Sequence, residues 1–215
     1  MPDRLLHLPR LYPILDACLL AGRVPPERLT AALCDFATEL AAAGATLFQY
    51  RAKSFTSKEM LSHARELRRV LGSEKILFMN DRADLCLAAG FDGVHLGQDD
   101  LSPEGARFVV GNRHWIGVST HNVAQLKEAA AGPADYVAIG PVFATVTKQN
   151  PDPVVGLAGV RAARELTSKP LVAIGGITRE NARAVIAAGA DSVAVIGDLS
   201  SDPRHATEEF LRILV

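Results

Sequence analysis

Residues 76–100 read ILFMNDRADLCLAAGFDGVHLGQDD, and their order decides the fold. The run Ile76 to Met79 is short, apolar and strand-like, and the stretch Asp81 to Ala89 carries a helical pattern. Ala88-Ala89-Gly90 closes that helix, and a second strand-like run, Gly93 to Leu96, follows at once. A glycine placed where a helix ends in a left-handed turn explains this punctuation. Two short strands joined by a helix form a parallel βα unit. Both strands end in acids: Asn80-Asp81-Arg82 after the first and Gly97-Gln98-Asp99-Asp100 after the second.

The same unit recurs in both directions. Strand-like runs fall at Leu11 to Leu15, Thr46 to Tyr50, Trp115 to Val118, Tyr136 to Ile139, Leu171 to Ile174 and Ser192 to Ile196, which with the first two makes eight. Helical stretches lie between them at Pro26 to Ala43, Ser57 to Leu71, Asn122 to Ala131, Leu157 to Thr167, Arg179 to Ala188 and Pro203 to Leu214. Ala41-Ala42-Ala43-Gly44 and Ala187-Ala188-Gly189 repeat the glycine ending. Eight strands alternating with helices in 215 residues predict an α/β fold, a single (β/α)8 TIM barrel domain over residues 1–215. A doubly wound sheet has the same alternation. The barrel is favoured because chemically loaded residues follow most strands, as they do when every strand points at one shared mouth.

Composition narrows the partners. Hydrophobic residues make up 48% of the chain, enough for a substantial core, and the formal net charge is -1 with both signs scattered. No basic stripe points to nucleic acid, and no apolar run of 18 residues points to a membrane; Pro13 and Asp16 interrupt the apolar N-terminal stretch. Cys18, Cys34 and Cys86 lack CxxC spacing and read as reduced thiols. These features predict a cytoplasmic protein that acts on small molecules, with homo-oligomers left open.

The strand ends carry the candidate site. Alternation along Gln49-Tyr50-Arg51-Ala52-Lys53 puts Gln49, Arg51 and Lys53 on one side, where Arg51 and Lys53 can bind a diphosphate, one as a planar fork and the other as a point charge. Asp81 and Asp100, at the ends of neighbouring strands, can share Mg²⁺, which takes one or two carboxylates with substrate oxygens and water. Each also has a plainer use: Asp81 as a helix N-cap, Asp99 or Asp100 as a cap before Pro103. Ser119 can donate to a phosphate oxygen, and His121 sits where a general acid or base would. His95, inside a strand, reads as a packed, hydrogen-bonded residue. Gly175-Gly176 and Gly197 end the last two strands, where barrels of this kind bind phosphate. Opposite them the run 140–148, GPVFATVTK, is rich in hydroxyls and ends in Lys148. The irregular stretch from Ala144 to Val155 reads as a functional loop or lid.

Taken in order, LYPILD, QYRAK, NDRADL, GVHLGQDD, GVSTHN, DYVAIGPVFATVTK, AIGGI and AGADSVAVIG resemble the thiamine phosphate synthase family over nearly the whole chain. The resemblance implies a transferase of thiamine biosynthesis. It would condense 4-amino-5-hydroxymethyl-2-methylpyrimidine diphosphate with a thiazole phosphate, plain or carboxylated, and release diphosphate with the help of Mg²⁺. Gln49, Arg51, Lys53, Asn80, Ser119 and Lys148 would then contact the pyrimidine diphosphate, with Arg51, Lys53 and Lys148 stabilising the departing charge. Asp81 and Asp100 would hold Mg²⁺, with Asp99 as second choice. Thr145, Thr147, Gly176, Ile196 and Gly197 would bind the thiazole phosphate. Many family members carry serine at position 197, so glycine leaves only a backbone N–H there. A largely dissociative displacement is expected, with the 144–155 loop excluding water. Two other readings stay open: a thiazole tautomerase on the same barrel, relying on His121, and a non-catalytic sensor of a phosphorylated ligand.

Overall fold

The computed structural model describes residues 6–145 and 152–215. Eight parallel strands pair in sequence order and close on themselves, β1 (Leu11–Asp16), β2 (Leu47–Arg51), β3 (Ile76–Asn80), β4 (Gly93–Leu96), β5 (Trp115–Thr120), β6 (Tyr136–Ile139), β7 (Leu171–Ile174) and β8 (Ser192–Val195). Closure is made by β1 against β8, with Leu11 opposite Val193 and Pro13 opposite Val195. The architecture is a (β/α)8 barrel, and the doubly wound alternative is excluded by that last pairing.

The helices among the described residues are α1 (Ala17–Ala21), α2 (Leu29–Ala42), α3 (Ser57–Leu71), α4 (Ala83–Ala89), α5 (Pro103–Val110), α6 (Val123–Ala131), α7 (Gly156–Leu166), α8 (Ala182–Ala187) and α9 (Pro203–Ile213). Capping sets several starts. Thr56 and Glu59 form a reciprocal capping box on α3, and Asn122 accepts from the Gln125 N–H at the head of α6. Three of the helix starts shift by two residues or more. Residues 26–28 form a 3₁₀ turn ahead of α2, α4 begins at Ala83 rather than Asp81, and α8 begins at Ala182 rather than Arg179. The α4 shift has a local cause, since Asp81 has φ of 65° and cannot continue a right-handed helix. The short helices α1 and α5 have no counterpart among the sequence-predicted helices.

The barrel lumen is packed, not hollow. Tyr12, Ile14, Leu47, Phe78, Trp115, Tyr136, Ala138, Val172 and Ala194 form one buried cluster inside the sheet. A second, larger cluster lies between sheet and helices, including Leu33, Leu40, Phe48, Leu67, Val94, Ile116, Val137 and Phe210. Two glycines make the lumen possible. A Cβ on Gly117 would lie 2.0 Å from Tyr136 Cζ, and one on Gly93 would lie 2.4 Å from Phe78 Cε1. The aromatic rings occupy the space that any other residue's side chain would need.

The rim at the strands' N-terminal ends is built from a motif repeated three times. Asp92, Asp135 and Asp191 directly precede β4, β6 and β8. Each uses Oδ2 to accept the backbone N–H of Leu77, Ile116 or Leu171 on the preceding strand, at 2.7–2.8 Å. The same oxygens receive Arg68 from α3, Arg107 from α5 and Arg164 from α7, at 2.5, 2.6 and 2.9 Å. Each arginine also donates to carbonyls of the loop that leaves its helix, as Arg107 does to Gly111 and His114.

Candidate active site

At the opposite rim, the strands' C-terminal ends surround a cavity of about 690 Å³. Gln49, Arg51, Lys53, Asn80, Asp81, Asp100, Ser119, Thr145, Gly176, Ile196 and Gly197 all line it, together with His95, Asp99 and His121. Residues 146–151, which include Val146, Thr147 and Lys148 and make up half of the expected lid, lie outside the described residues.

Arg51 ends β2 directly opposite Asp16 at the end of β1, and the two form an ion pair in which the carboxylate is almost fully buried. Asp16 also accepts the Leu19 N–H at the head of α1 at 3.0 Å. The guanidinium is therefore aimed from behind. Sequence reasoning missed Asp16, although a carboxylate closing the strand LYPILD was the available signal. Tyr50, between the two pocket residues, points the other way and bonds to His63 Nδ1 at 2.8 Å.

Asp81 is where the site is most strained. It is the single non-glycine residue with positive φ among those described, and its N–H is bound to the His95 carbonyl at 2.7 Å. Lys53 Nζ stands 2.5 Å from Asp81 Oδ2. Burial, and then the adjacent Asp100 carboxyl, push Asp81 up to about 6, while Lys53 pulls the other way. Asp100 is half-buried and accepts the Gly97 N–H at 2.7 Å; Asp99 is exposed. The plainer uses of these acids do not occur. The turn before α4 has no side-chain cap, and Ser102, not an aspartate, caps α5. Two acids held together without a capping role, one of them resisting ionisation, are what a hard cation would relieve. Among the described residues no group of three or more His, Cys, Asp or Glu side chains comes together. The pair alone matches an ion that also takes substrate oxygens.

Across the mouth, Gly175 and Gly176 have φ of 102° and 63°. Their Cβ positions are already filled: one on Gly175 would meet Pro141 Cα at 2.6 Å, and one on Gly176 would meet the Ala144 carbonyl at 2.4 Å. The double glycine thus lets the loop after β6 close onto the loop after β7, which keeps Thr145 at the cavity. Gly197 has nothing within 4 Å of its Cβ position, so that corner is open space. His121 donates through Nδ1–H to the Gly140 carbonyl, 2.6 Å away, and its Nε2 is 3.5 Å from Asp152. His95 is buried between Tyr136 and Ser119, and desolvation lowers it to about 4, so it is neutral at pH 7.

A parallel (β/α)8 barrel whose C-terminal rim brings two cations and two facing carboxylates to one cavity defines a class, the phosphate-handling barrel proteins. The thiamine monophosphate synthase family model matches residues 22–199, and the chain belongs to that family. It is 63% identical over 209 residues to a thiamine-phosphate synthase of Koribacter versatilis, with 97% of both chains covered. It is 42% identical to that of Agrobacterium fabrum, over 94% of this chain and 91% of the other. Among solved structures, a thiamine phosphate pyrophosphorylase from Pyrococcus furiosus superposes with a TM-score of 0.81 at 35% identity, covering 95% of each chain. A 3-hexulose-6-phosphate synthase, at 20% identity and a TM-score of 0.69, shares the fold.

Proposed function

We propose that the protein is a thiamine phosphate synthase. It joins 4-amino-5-hydroxymethyl-2-methylpyrimidine diphosphate to a thiazole phosphate and releases diphosphate. The observation that most supports this reading is the grouping of Arg51, Lys53, Asp81 and Asp100 in one cavity of a chain so similar to proteins of that name.

Arg51, aimed by Asp16, and Lys53 bind the diphosphate, joined by Asn80, Ser119 and Lys148. Gln49 orients the pyrimidine end. Thr145, Thr147, Gly176, Ile196 and Gly197 hold the thiazole phosphate. Asp81 and Asp100 would hold Mg²⁺, which when bound would supply positive charge to stabilise the departing diphosphate. The bond between the pyrimidine methylene and the diphosphate oxygen breaks, and both electrons leave with diphosphate. The thiazole nitrogen then gives its lone pair to the methylene carbon. No proton is transferred in either event, so the site needs fixed charge and no poised base. Its residues fit that need, with cations at the leaving group and His95 kept neutral. Charge stabilisation of this kind contributes roughly 3–4 kcal/mol per fixed group.

Incubation with both substrates should yield thiamine phosphate and diphosphate in equal amounts, dependent on Mg²⁺. Absence of product from wild type overturns the reading. His121→Ala separates it from tautomerase activity: a synthase keeps most of its rate, and a tautomerase loses nearly all. In rapid-quench experiments, a pyrimidine species formed and consumed before product supports dissociation ahead of attack, and a single concerted step with no such species contradicts it.

A further inference from the structure

Below the cavity, five side chains from five strands form one unbroken line of hydrogen bonds. Gln49 Nε2 donates to Tyr12 OH at 3.2 Å, and the hydroxyls of Tyr12 and Tyr136 meet at 3.1 Å. Tyr136 OH lies 2.7 Å from His95 Nδ1, and His95 Nε2 lies 2.8 Å from Ser119 Oγ. Only the two ends and His95 reach the cavity; Tyr12 and Tyr136 are 1% and 0% exposed. The arrangement is built in. Tyr136 occupies the side-chain space of Gly117, packs edge-on against Phe78 with centroids 5.4 Å apart, and stacks on the His95 ring.

Each hydroxyl brings one proton to such a line, and a neutral imidazole brings one donor and one acceptor. The protons must therefore all point one way. Pointing toward β5, Gln49 donates to Tyr12, Tyr12 to Tyr136, Tyr136 to Nδ1 and Nε2–H to Ser119, which leaves the serine proton free for the cavity. Pointing away, Ser119 gives its proton to Nε2 and shows the cavity only lone pairs, while the Tyr12 proton meets the Gln49 N–H unless that amide turns over to offer Oε1 and gives up the orientation in which Nε2 donates to Tyr12. A buried donor left unmatched is costly, and an anion in the cavity needs donors.

We propose that Tyr12, Tyr136 and His95 are positioning residues that hold His95 as its Nε2–H tautomer and thereby oblige Ser119 to act as a hydrogen-bond donor to the substrate diphosphate. The inference rests on the synthase reading for the identity of the anion, but the tautomer does not.

Nitrogen-15 NMR of histidine-labelled wild type at pH 7, with His95 identified by its contacts to Tyr136, reads the tautomer without substrate. A protonated Nε2 with a bare Nδ1 is expected; a protonated Nδ1, alone or with Nε2, overturns the proposal. A cycle of Tyr136→Phe, Ser119→Ala and the double variant then tests the coupling. Tyr136→Phe keeps the ring and loses about tenfold in kcat, the worth of one hydrogen bond, while the double variant is no slower than Ser119→Ala alone. Losses that multiply independently overturn the proposal. Failure of the synthase reading looks different, a wild type that makes no thiamine phosphate whatever its His95 tautomer.

Discussion

The two rims of the barrel use the same residue types to opposite ends. At the N-terminal rim, Asp92, Asp135 and Asp191 each meet an arginine and a backbone N–H, and every charge has its partner. At the C-terminal rim, Asp81 faces another acid, sits at a positive φ and is pushed toward its neutral form. One rim is satisfied and the other is strained. Stability is drawn from the first, and the second is left in the state that a bound cation and a polyanionic substrate would complete.

The largest effect expected from this contrast is on rate. Asp100→Ala, or Arg51→Ala, should lower kcat for thiamine phosphate by roughly 10²–10³-fold, since each removes a fixed charge at the leaving group. Steady-state kinetics at saturating Mg²⁺ check it, and a loss under about tenfold would blunt the contrast. Next comes Asp135→Ala, which strands Arg107 and the Ile116 N–H, both largely buried. It should cost about 3 kcal/mol, or roughly 6–12 °C in Tm, with kcat of the folded fraction unchanged. Calorimetry and active-site titration together decide it.

A smaller effect runs the other way at Asp81. Its folded pKa of about 6 exceeds the reference value of 3.8, so the native state binds its proton more tightly than the unfolded chain does. The stabilisation this gives is complete at low pH and is lost as pH rises through 6. Asparagine carries no charge and tolerates a positive φ. Asp81→Asn should therefore melt about 3–6 °C above wild type at pH 7 without Mg²⁺, and the gain should vanish near pH 4. His95 has the opposite sign. Its pKa falls to about 4 from 6.5, so the stability linked to it is present above pH 6.5 and lost as pH falls toward 4. The Tm difference between wild type and His95→Gln should shift by a few degrees against wild type between pH 7 and pH 5, measured by differential scanning.

Much of this was legible before the structure. The eight strands read within one or two residues because short apolar runs ending at polar clusters have few other uses. The strand-end alternation also placed Gln49, Arg51 and Lys53 together. What escaped the sequence depends on contacts across strands. Nothing local marks Asp16 as the partner of Arg51, since their pairing is a matter of register between β1 and β2. The helix expected from Asp81 begins two residues later because a site constraint, not a propensity, sets that backbone. The Arg–Asp motif is a repeat of long-range contacts, and its sequence trace is only an aspartate just ahead of alternate strands. Gly117 reads as an ordinary strand residue and Gly175 as a phosphate glycine in one dimension; in three, both are spaces reserved for a neighbour.

The most direct test of the account measures rate and Tm on the same preparations of Asp81→Asn and wild type, at pH 7, with and without Mg²⁺. Asp81→Asn is expected to lose more than about 100-fold in thiamine phosphate formation while melting at or above wild type without the metal. An Asp81→Asn protein that keeps its activity, or that melts below wild type, would contradict it.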